Sequence, residues 1–317
     1  MRTLGRIPHI LIILPLFTAL VLSGCGADKP DPVSRMSFCF DTIIEISIYD
    51  TDIGRERADE ILDECMKTAA LYDRTMRPGM SVSDADDETI KLLDTALTWQ
   101  EKTDGAFDPM LGTLTALWNF SGDPPGPVPS ASAVEGALKH TAPSDTEALI
   151  DLGGIAKGYI ADRLKDKLIS EGVHSAVINL GGNVLLLGSK PDGSPFRVGI
   201  RDPGDPSGNK VTTAVTVSDM SVVTSGVYER CFEEGGVRYH HILDPATGYP
   251  ADTDVSSVTV ITADSASGDA LSTACLVMGH EKGQALIESL PDTEAMFILM
   301  SGDTVKTAGF PDQILTP

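Results

Sequence analysis

The chain has 317 residues, with 24 Lys and Arg against 46 Asp and Glu, and its formal net charge is −22. This length allows one large domain or two ordinary ones, and a hydrophobic content of 42% argues against wholesale disorder. So acidic a protein is not expected to bind nucleic acid non-specifically, because phosphate backbones attract Lys and Arg surfaces. A phosphate-bearing ligand would need a local positive group, such as a divalent cation, a helix N-terminus or a few basic side chains.

The first segment has the pattern of an export signal. Arg2 and Arg6 precede an apolar stretch at 10–22, which is short for a membrane span but suits a signal-peptide core. It ends in Leu-Ser-Gly-Cys, which resembles the lipobox of bacterial lipoproteins, although a plain secretory signal is the alternative. We expect a signal peptide over 1–24, a lipidated N-terminus and tether over 25–37 with the lipid on Cys25, and one domain over 38–317. The protein is then exported and lipid-anchored to the cell membrane, facing outside the cytoplasm.

Helical periodicity recurs along the chain. It predicts helices over 58–69, 90–97, 107–118, 155–170, 266–278 and 281–289. Asp86 or Asp87 is a candidate cap for the second helix, and Asp108 with Pro109 is expected to begin the third. Ser132 and Glu135 have the spacing of a capping box before a further helix.

Strand patterns decide the fold class. Alternating apolar residues predict strands over 41–49 and 176–180, and residues 184–262 are mostly strand-like. Turn residues at 191–193, 235–236 and 301–303 indicate hairpins. Because strands and helices do not alternate regularly, the sequence predicts an α+β fold with largely antiparallel sheets packed against helices.

The cysteines after residue 25 carry little functional signal. Positions 39, 65, 231 and 275 show neither a CxxC pair nor zinc-like spacing. Cys65 and Cys275 fall on apolar helical faces, which favours buried free thiols, while disulfides in an exported protein stay open.

Two glycine-rich segments are candidates for close contact with a ligand. In DLGGIAKG at 151–158, a predicted strand passes into a helix whose first N–H groups suit a phosphate, and Lys157 would add a cation. In NLGGN at 179–183, paired glycines flanked by amides follow an apolar strand. An ordinary turn explains each segment as well, so neither defines a site alone.

The segment HHILDPATG at 240–248 holds a candidate general base. Neighbouring strand residues point to opposite faces, so one of His240 and His241 is expected to face inward and the other outward. An imidazole at the edge of a site is a natural proton acceptor near neutral pH. Asp244 also has the chemistry of a tight turn, in which it would bond backbone N–H groups.

A carboxylate and a hydroxyl form a candidate metal pair. Asp269 and Thr273 lie four residues apart in the predicted helix over 266–278, so they share one face. Two oxygen donors suit Mg²⁺ better than zinc or copper. A polar pair within an otherwise apolar helix is equally consistent with the pattern.

The order and spacing of several segments resemble the ApbE family, the FAD:protein FMN transferases. The resemblance covers residues 38–279, and its most specific parts are TDGAFDP (103–109), DLGGIAKG (151–158), INLGGN (178–183), VTSG (223–226), HHILDPATG (240–248) and DALSTA (269–274). It implies an exported enzyme of ApbE-like, T-fold-related architecture that splits the pyrophosphate of FAD. The FMN part would be attached through a phosphoester to a Thr or Ser of an exported or membrane flavoprotein with an FMN-binding domain, and AMP would be released.

The resemblance also implies roles for individual residues. Mg²⁺, or Mn²⁺ in its place, would be bound by the backbone carbonyl of Ala156 and the side chains of Asp269 and Thr273. His241 would be the base for the acceptor hydroxyl, and Asp244 would help to orient that site. The flavin or diphosphate pocket would be lined by Phe40, Asp104, Lys157, Gly181, Gly182, Asn183 and Thr247.

Two other functions stay open at this level. One is a Mg²⁺-dependent FAD diphosphatase, in which water replaces the protein acceptor, and the other is a non-catalytic, lipid-anchored flavin- or solute-binding protein. The metal pair and His241 favour chemistry, because a carrier has no need of a metal beside a base. The sequence departs from the usual family pattern at Phe40-Asp41-Thr42, where Met-Gly-Thr is common, and at Asp86, which replaces an Asn.

Overall fold

Helices flank a large antiparallel sheet in the computed structural model, which describes residues 31–50, 52–205 and 207–313. The helices are α1 (Arg55–Thr75), α2 (Asp87–Lys102), α3 (Gly112–Trp118), α4 (Ala131–Ala137), α5 (Ala156–Ser170), α6 (Ser265–Met278) and α7 (His280–Glu288). The strands are β1 (Val33–Cys39), β2 (Thr42–Ile48), β3 (Met80–Ser81), β4 (Leu149–Ile150), β5 (Ala176–Leu180), β6 (Asn183–Leu187), β7 (Phe196–Arg201), β8 (Val211–Val217), β9 (Ser221–Gly226), β10 (Cys231–Glu234), β11 (Val237–His240), β12 (Val255–Thr262), β13 (Glu294–Leu299), β14 (Thr304–Lys306) and β15 (Asp312–Gln313).

The eight-stranded sheet has the order β1-β2-β5-β6-β9-β12-β13-β14, and every neighbouring pair is antiparallel. The alternating isoleucines of β2, Ile44, Ile46 and Ile48, are fully buried and pack with the apolar faces of α1, α5 and α6. From Ile44 onward, every second residue of the strand is buried, and the helices bury residues with a period of 3.6. Both periods follow the apolar pattern of the sequence. The predicted α+β class with largely antiparallel sheets is confirmed.

Two smaller clusters complete the core. A three-stranded sheet, β15-β8-β7, packs against the large sheet through a group that includes Val215, Ile261, Met296 and Phe310. A second cluster forms around Trp118, where α3 and α4 meet the β10–β11 hairpin and its aromatic side chains. In the described part of the chain, none of the helices is long and apolar enough to cross a bilayer.

Helices α5 and α6 cross with almost no space between them. Gly158 of α5 lies against the first residues of α6: a Cβ added there would stand 2.2 Å from the carbonyl oxygen of Ser265 and 2.7 Å from the Cα of Ala266. Both contacts are with backbone, which has no rotamer to change. The crossing therefore requires glycine at this position, and it brings the beginnings of the two helices together.

Most predicted elements are confirmed. The helices over 58–69, 90–97, 155–170, 266–278 and 281–289 correspond to α1, α2, α5, α6 and α7, and the hairpins at 235–236 and 301–303 form as expected. Asp86 caps α2, because its Oδ1 accepts the N–H of Thr89 at 2.8 Å. The described cysteines are free, and burial raises the pKa of the Cys65 thiol to about 11 and that of Cys275 to about 12.

Four local predictions are wrong. Strand β1 begins at Val33, so residues 33–37, expected in the tether, belong to the folded domain. Helix α3 begins at Gly112 instead of residue 107, because Asp108 closes a turn onto the N–H of Met110. Ser130 caps α4, so the capping box of Ser132 and Glu135 is absent. The turn at 191–193 leads from the large sheet to the three-stranded one and joins no hairpin. The predicted signal peptide and Cys25 lie outside the described residues.

The tight helix crossing leads to a stability prediction. Gly158→Ala should lower the free energy of unfolding by about 2–3 kcal/mol, because α5 and α6 must separate to admit the methyl group. The measurement is urea denaturation followed by circular dichroism. Gly136→Ala in α4 is the control, since nothing lies within 4 Å of a Cβ there and alanine favours helix by up to about 1 kcal/mol. Equal effects of the two substitutions would contradict the packing described here.

Candidate active site

The DLGG segment is fixed to the neighbouring TDGAFDP segment. Asp151 accepts the N–H of Gly153 at 2.8 Å on one carboxylate oxygen and the hydroxyl of Thr115 at 2.6 Å on the other. Its own N–H donates to the carbonyl of Pro109 at 2.8 Å. These bonds hold the turn that leads into α5, so the start of this helix has a defined position.

Helix α6 brings Asp269 and Thr273 to the first turn of α5. The Asp269 side chain is only 2% exposed, and its Oδ2 accepts the N–H of Gly158 at 3.0 Å. A Cβ added at Gly154 would stand 3.1 Å from Oγ1 of Thr273. Ala156 lies between these two contact points along the chain. The structure thus brings together the three residues that the family resemblance implies as metal ligands.

Lys157 adds a positive charge within this group. Its Nζ lies 3.8 Å from Oδ1 of Asp269 and donates to the carbonyl of Gly153 at 3.3 Å. The side chain, which is 28% exposed, is therefore held against the site, and its contact with the ligand's phosphates stays a prediction.

His241 lies directly after β11 and carries an uncharged imidazole. Its backbone N–H donates to the carbonyl of Arg230 at 3.0 Å, and its buried Nδ1 has no hydrogen-bond partner among the described residues. Burial, helped by the positive charges of Arg230 and Lys157, lowers the pKa of His241 to about 3. At neutral pH this imidazole is therefore unprotonated, as a general base must be before it takes a proton.

The expectation that one histidine faces inward and the other outward is only partly right. His240 is buried, and its Nε2 lies 3.2 Å from the carbonyl oxygen of Ala251. Strand β11 ends at His240, so strand alternation does not extend to His241, which is half-buried.

Asp244 shapes the turn that follows. Its carboxylate accepts the N–H of Ala246 at 2.9 Å and the hydroxyl of Thr247 at 3.2 Å. The carbonyl of Gly248, at the end of this turn, accepts the indole N–H of Trp118 at 2.8 Å. These contacts are those of the tight turn that the sequence also allowed, and they tie the segment after His241 to the cluster around Trp118. A direct catalytic part for Asp244, and ligand contact by Thr247, stay predictions.

Gly181 and Gly182 form the two-residue turn between β5 and β6, with φ of 65° and 96°. Such values suit glycine, and a Cβ at Gly181 would stand 2.4 Å from the Cγ2 of Thr42. Asn183, expected to line the pocket, is 1% exposed, and its Oδ1 accepts the hydroxyl of Ser265 at 2.7 Å. It supports the first residue of α6 through this bond, and its contact with a ligand stays a prediction.

Phe40 and Asp104 occupy unusual turns. Phe40 and Asp41 join β1 to β2 with φ of 55° and 56°, a conformation uncommon for bulky side chains. The N–H of Phe40 donates to Asp73 at 2.9 Å. Asp104, with φ of 51°, lies in the exposed turn after α2. The segment of Asp104 reaches the site through Phe107, whose ring lies 3.1 Å from a Cβ placed on Gly154.

Sequence reasoning missed Arg230 and the cavity beside it. A cavity of about 390 Å³ is lined by Asp41, Phe120, Ser121, Glu229, Arg230 and Cys231. Arg230 donates to the Ser121 hydroxyl at 3.4 Å and lies 3.9 Å from the Asp41 carboxylate. The sequence did contain the information needed to find Arg230. In a hairpin that turns at 235–236, Cys231 pairs with His240, so Arg230 lies beside His241.

Known proteins share both the sequence and the fold. A model of the ApbE family matches residues 40–297. An FAD:protein FMN transferase of Treponema pallidum is 37% identical over 286 residues, which cover 82% of this chain and 78% of that protein. The crystal structure of the ApbE protein of Thermotoga maritima matches with a TM-score of 0.76 and 32% identity, over 87% of this chain and 97% of that one. The apo crystal structure of the flavinyl transferase ApbE of Pseudomonas stutzeri matches with a TM-score of 0.70 and 27% identity, over 90% of this chain and 97% of that one.

The chain shares its antiparallel α+β fold with a flavinyl transferase and its sequence with FAD:protein FMN transferases, and it is an enzyme. The chain belongs to the ApbE family, as the order of its motifs predicts.

The depressed pKa of His241 makes a prediction about acid stability. The unfolded chain protonates this imidazole below about pH 6.5, whereas the folded protein keeps it neutral down to about 3. The unfolded state then binds more protons, so folding stability falls as pH drops through this window. Between pH 8 and pH 5, wild type should lose about 1–2 kcal/mol more than His241→Asn in urea denaturation. Substituting the exposed His174 by Asn should leave the loss as in wild type. Parallel losses in wild type and His241→Asn would overturn the assignment.

Proposed function

We propose that this protein is a Mg²⁺-dependent FAD:protein FMN transferase. It cleaves FAD, attaches FMN through a phosphoester to a Thr or Ser of an exported or membrane flavoprotein, and releases AMP. The observation that carries the proposal is the buried Asp269 carboxylate, held with Thr273 against the first turn of α5. Lys157 of that turn lies beside Asp269, and its charge also acts on the neutral His241. The relatives that bear this activity in their names support it.

The donor set fits Mg²⁺. It offers one carboxylate, one hydroxyl and one backbone carbonyl, and no group of three His, Cys, Asp or Glu side chains able to hold a metal occurs in the described residues. Magnesium commonly uses one or two protein carboxylates and completes its shell with substrate phosphates and water, so Asp269, Thr273 and Ala156 would hold it. Bound there, it would neutralise the charge that develops on the diphosphate, and Mn²⁺ has the same preference for oxygen.

The residues of the chain then have separate roles in the reaction. His241 takes the proton of the acceptor hydroxyl, whose oxygen forms a bond to the phosphorus that carries the riboflavin part of FAD. The P–O bond to the AMP phosphate breaks, its electron pair leaves with AMP, and the proton passes from His241 to solvent. Lys157 and Arg230 place positive charge beside the phosphates in an otherwise acidic protein.

The deciding experiment is a transfer assay. Purified protein is incubated with FAD, Mg²⁺ and an exported FMN-binding domain, and covalent flavin fluorescence on a denaturing gel is measured together with AMP. We expect both signals, and replacement of the acceptor Thr by Val should abolish the fluorescent band. FMN and AMP without labelled acceptor would indicate a diphosphatase, and unmodified bound FAD would indicate a binding protein.

Asp269→Asn tests the metal ligand within the same assay. The amide keeps an oxygen for the N–H of Gly158 but loses the charge, so the transfer rate should fall about 100-fold or more while the melting temperature changes little. Asp166→Asn is the matched control, since that exposed carboxylate of α5 pairs only locally with Arg163 at 2.9 Å. An unchanged rate in Asp269→Asn would remove the metal assignment.

We also propose that the protein is exported through the signal peptide over 1–24 and anchored by lipid on Cys25. In cells fed radiolabelled palmitate, wild type should be labelled and sediment with membranes. Cys25→Ser should be unlabelled, because it lacks the thiol that carries the lipid. A labelled Cys25→Ser variant, or wild type without label, would contradict the anchor.

A further inference from the structure

Helices α5 and α6 are joined by hydrogen bonds at their N-termini, where a carboxylate of each helix accepts backbone N–H groups of the other. Asp269 of α6 accepts the N–H of Gly158 in the first turn of α5 at 3.0 Å. Asp162 of α5, one turn further on, accepts the N–H of Ser265 at 3.0 Å on Oδ1 and the N–H of Ala266 at 2.9 Å on Oδ2. Ser265 and Ala266 are the first two residues of α6. Each helix thus supplies the acceptor for N–H groups that the other leaves free at its start.

This exchange lies where the two helices touch. The backbone of Ser265 and Ala266, which Asp162 binds, is the same backbone that packs against Gly158. A displacement of α6 along or away from α5 therefore breaks the bonds to both oxygens of Asp162. Asp269 and Thr273 follow Ser265 by one and two turns, so their positions relative to Ala156 depend on where α6 begins.

Helix α6 has no need of Asp162 for its own capping. Asp264 already caps the helix, because its Oδ1 accepts the N–H of Ser267 at 2.7 Å. A second carboxylate beside this one is unfavourable: burial, and then the charge of Asp264, raise the pKa of Asp162 to about 7. The bonds of Asp264 stay within α6, whereas those of Asp162 reach across from α5. What Asp162 adds is the connection between the two helices.

We propose that Asp162 is a positioning residue for the metal site: by binding the first two N–H groups of α6, it fixes Asp269 and Thr273 against Ala156. The proposal rests on the metal-dependent function above. Asp162 touches neither the reacting atoms nor the ligands, and it acts through the placement of α6.

The test measures metal binding without substrate. Mn²⁺ affinity of the purified protein, followed by electron paramagnetic resonance in the absence of flavin, is compared in wild type, Asp162→Asn, Asp162→Ala and Asp264→Asn. Loss of a residue that orients metal ligands typically weakens binding roughly 10- to 100-fold, which we expect for Asp162→Ala. Asp162→Asn keeps one accepting oxygen and should fall between Asp162→Ala and wild type. Asp264→Asn should change the affinity less than about twofold, because Asn caps a helix as well as Asp does.

A purely structural role would lower the melting temperature and leave the metal affinity unchanged. The positioning role predicts that excess Mn²⁺ restores the transfer rate of Asp162→Asn, and that the amides of Ser265 and Ala266 exchange hydrogen faster in this variant. If Asp162→Ala does not fold, Asp162→Asn decides the test.

Wild-type affinity in the folded Asp162 variants, or an equal loss in Asp264→Asn, would overturn the role of Asp162 alone. Wild-type protein that binds no Mn²⁺, with or without FAD, would overturn the metal-dependent function and the role of Asp162 together.

Discussion

The site depends on one constraint, the direct backbone contact between α5 and α6 at Gly158. It places a buried carboxylate of one helix on the free N–H groups of the other, and a buried carboxylate needs such partners, since an unpaired one is strongly unfavourable. The large sheet supports this pair of helices, and Asn183 and Ser221 bond the first residue of α6 through its hydroxyl. The placement of Asp269 and Thr273 is therefore a property of the core and not of a surface loop.

Local charge in the site opposes the charge of the whole molecule. The chain carries a formal net charge of −22, yet Lys157 and Arg230 are the cations that act on His241. Their positive charge makes this part of the surface suitable for a phosphate. The same two cations contribute to keeping the imidazole neutral, so the charge that would attract an anionic ligand also sets the protonation state of the proposed base.

The sequence predicts features that depend on local periodicity and misses those that depend on distant contacts. Asp269 and Thr273 are four residues apart on one helix, so their shared face follows from helix geometry alone. The roles of Asp162 and Asn183 follow from which helices cross and what lies behind them, and no spacing rule contains that information. Arg230 is an intermediate case, because its pairing with His241 follows from a hairpin register that the two glycines indicate. The predicted element boundaries are wrong where a turn competes with a helix, as at Asp108. They are also wrong where pairing with β2 extends a strand into the expected tether.

Strand β1 has a consequence for encounter with other proteins. It begins at Val33, and the chain from residue 25 to residue 33 reaches at most about 29 Å when fully extended. The proposed lipid on Cys25 would therefore hold the enzyme by a linker no longer than the hydrocarbon thickness of a bilayer, about 30 Å. Acceptors fixed to the same membrane would meet it at a high effective concentration, whereas freely diffusing flavoproteins would have to come to the lipid surface.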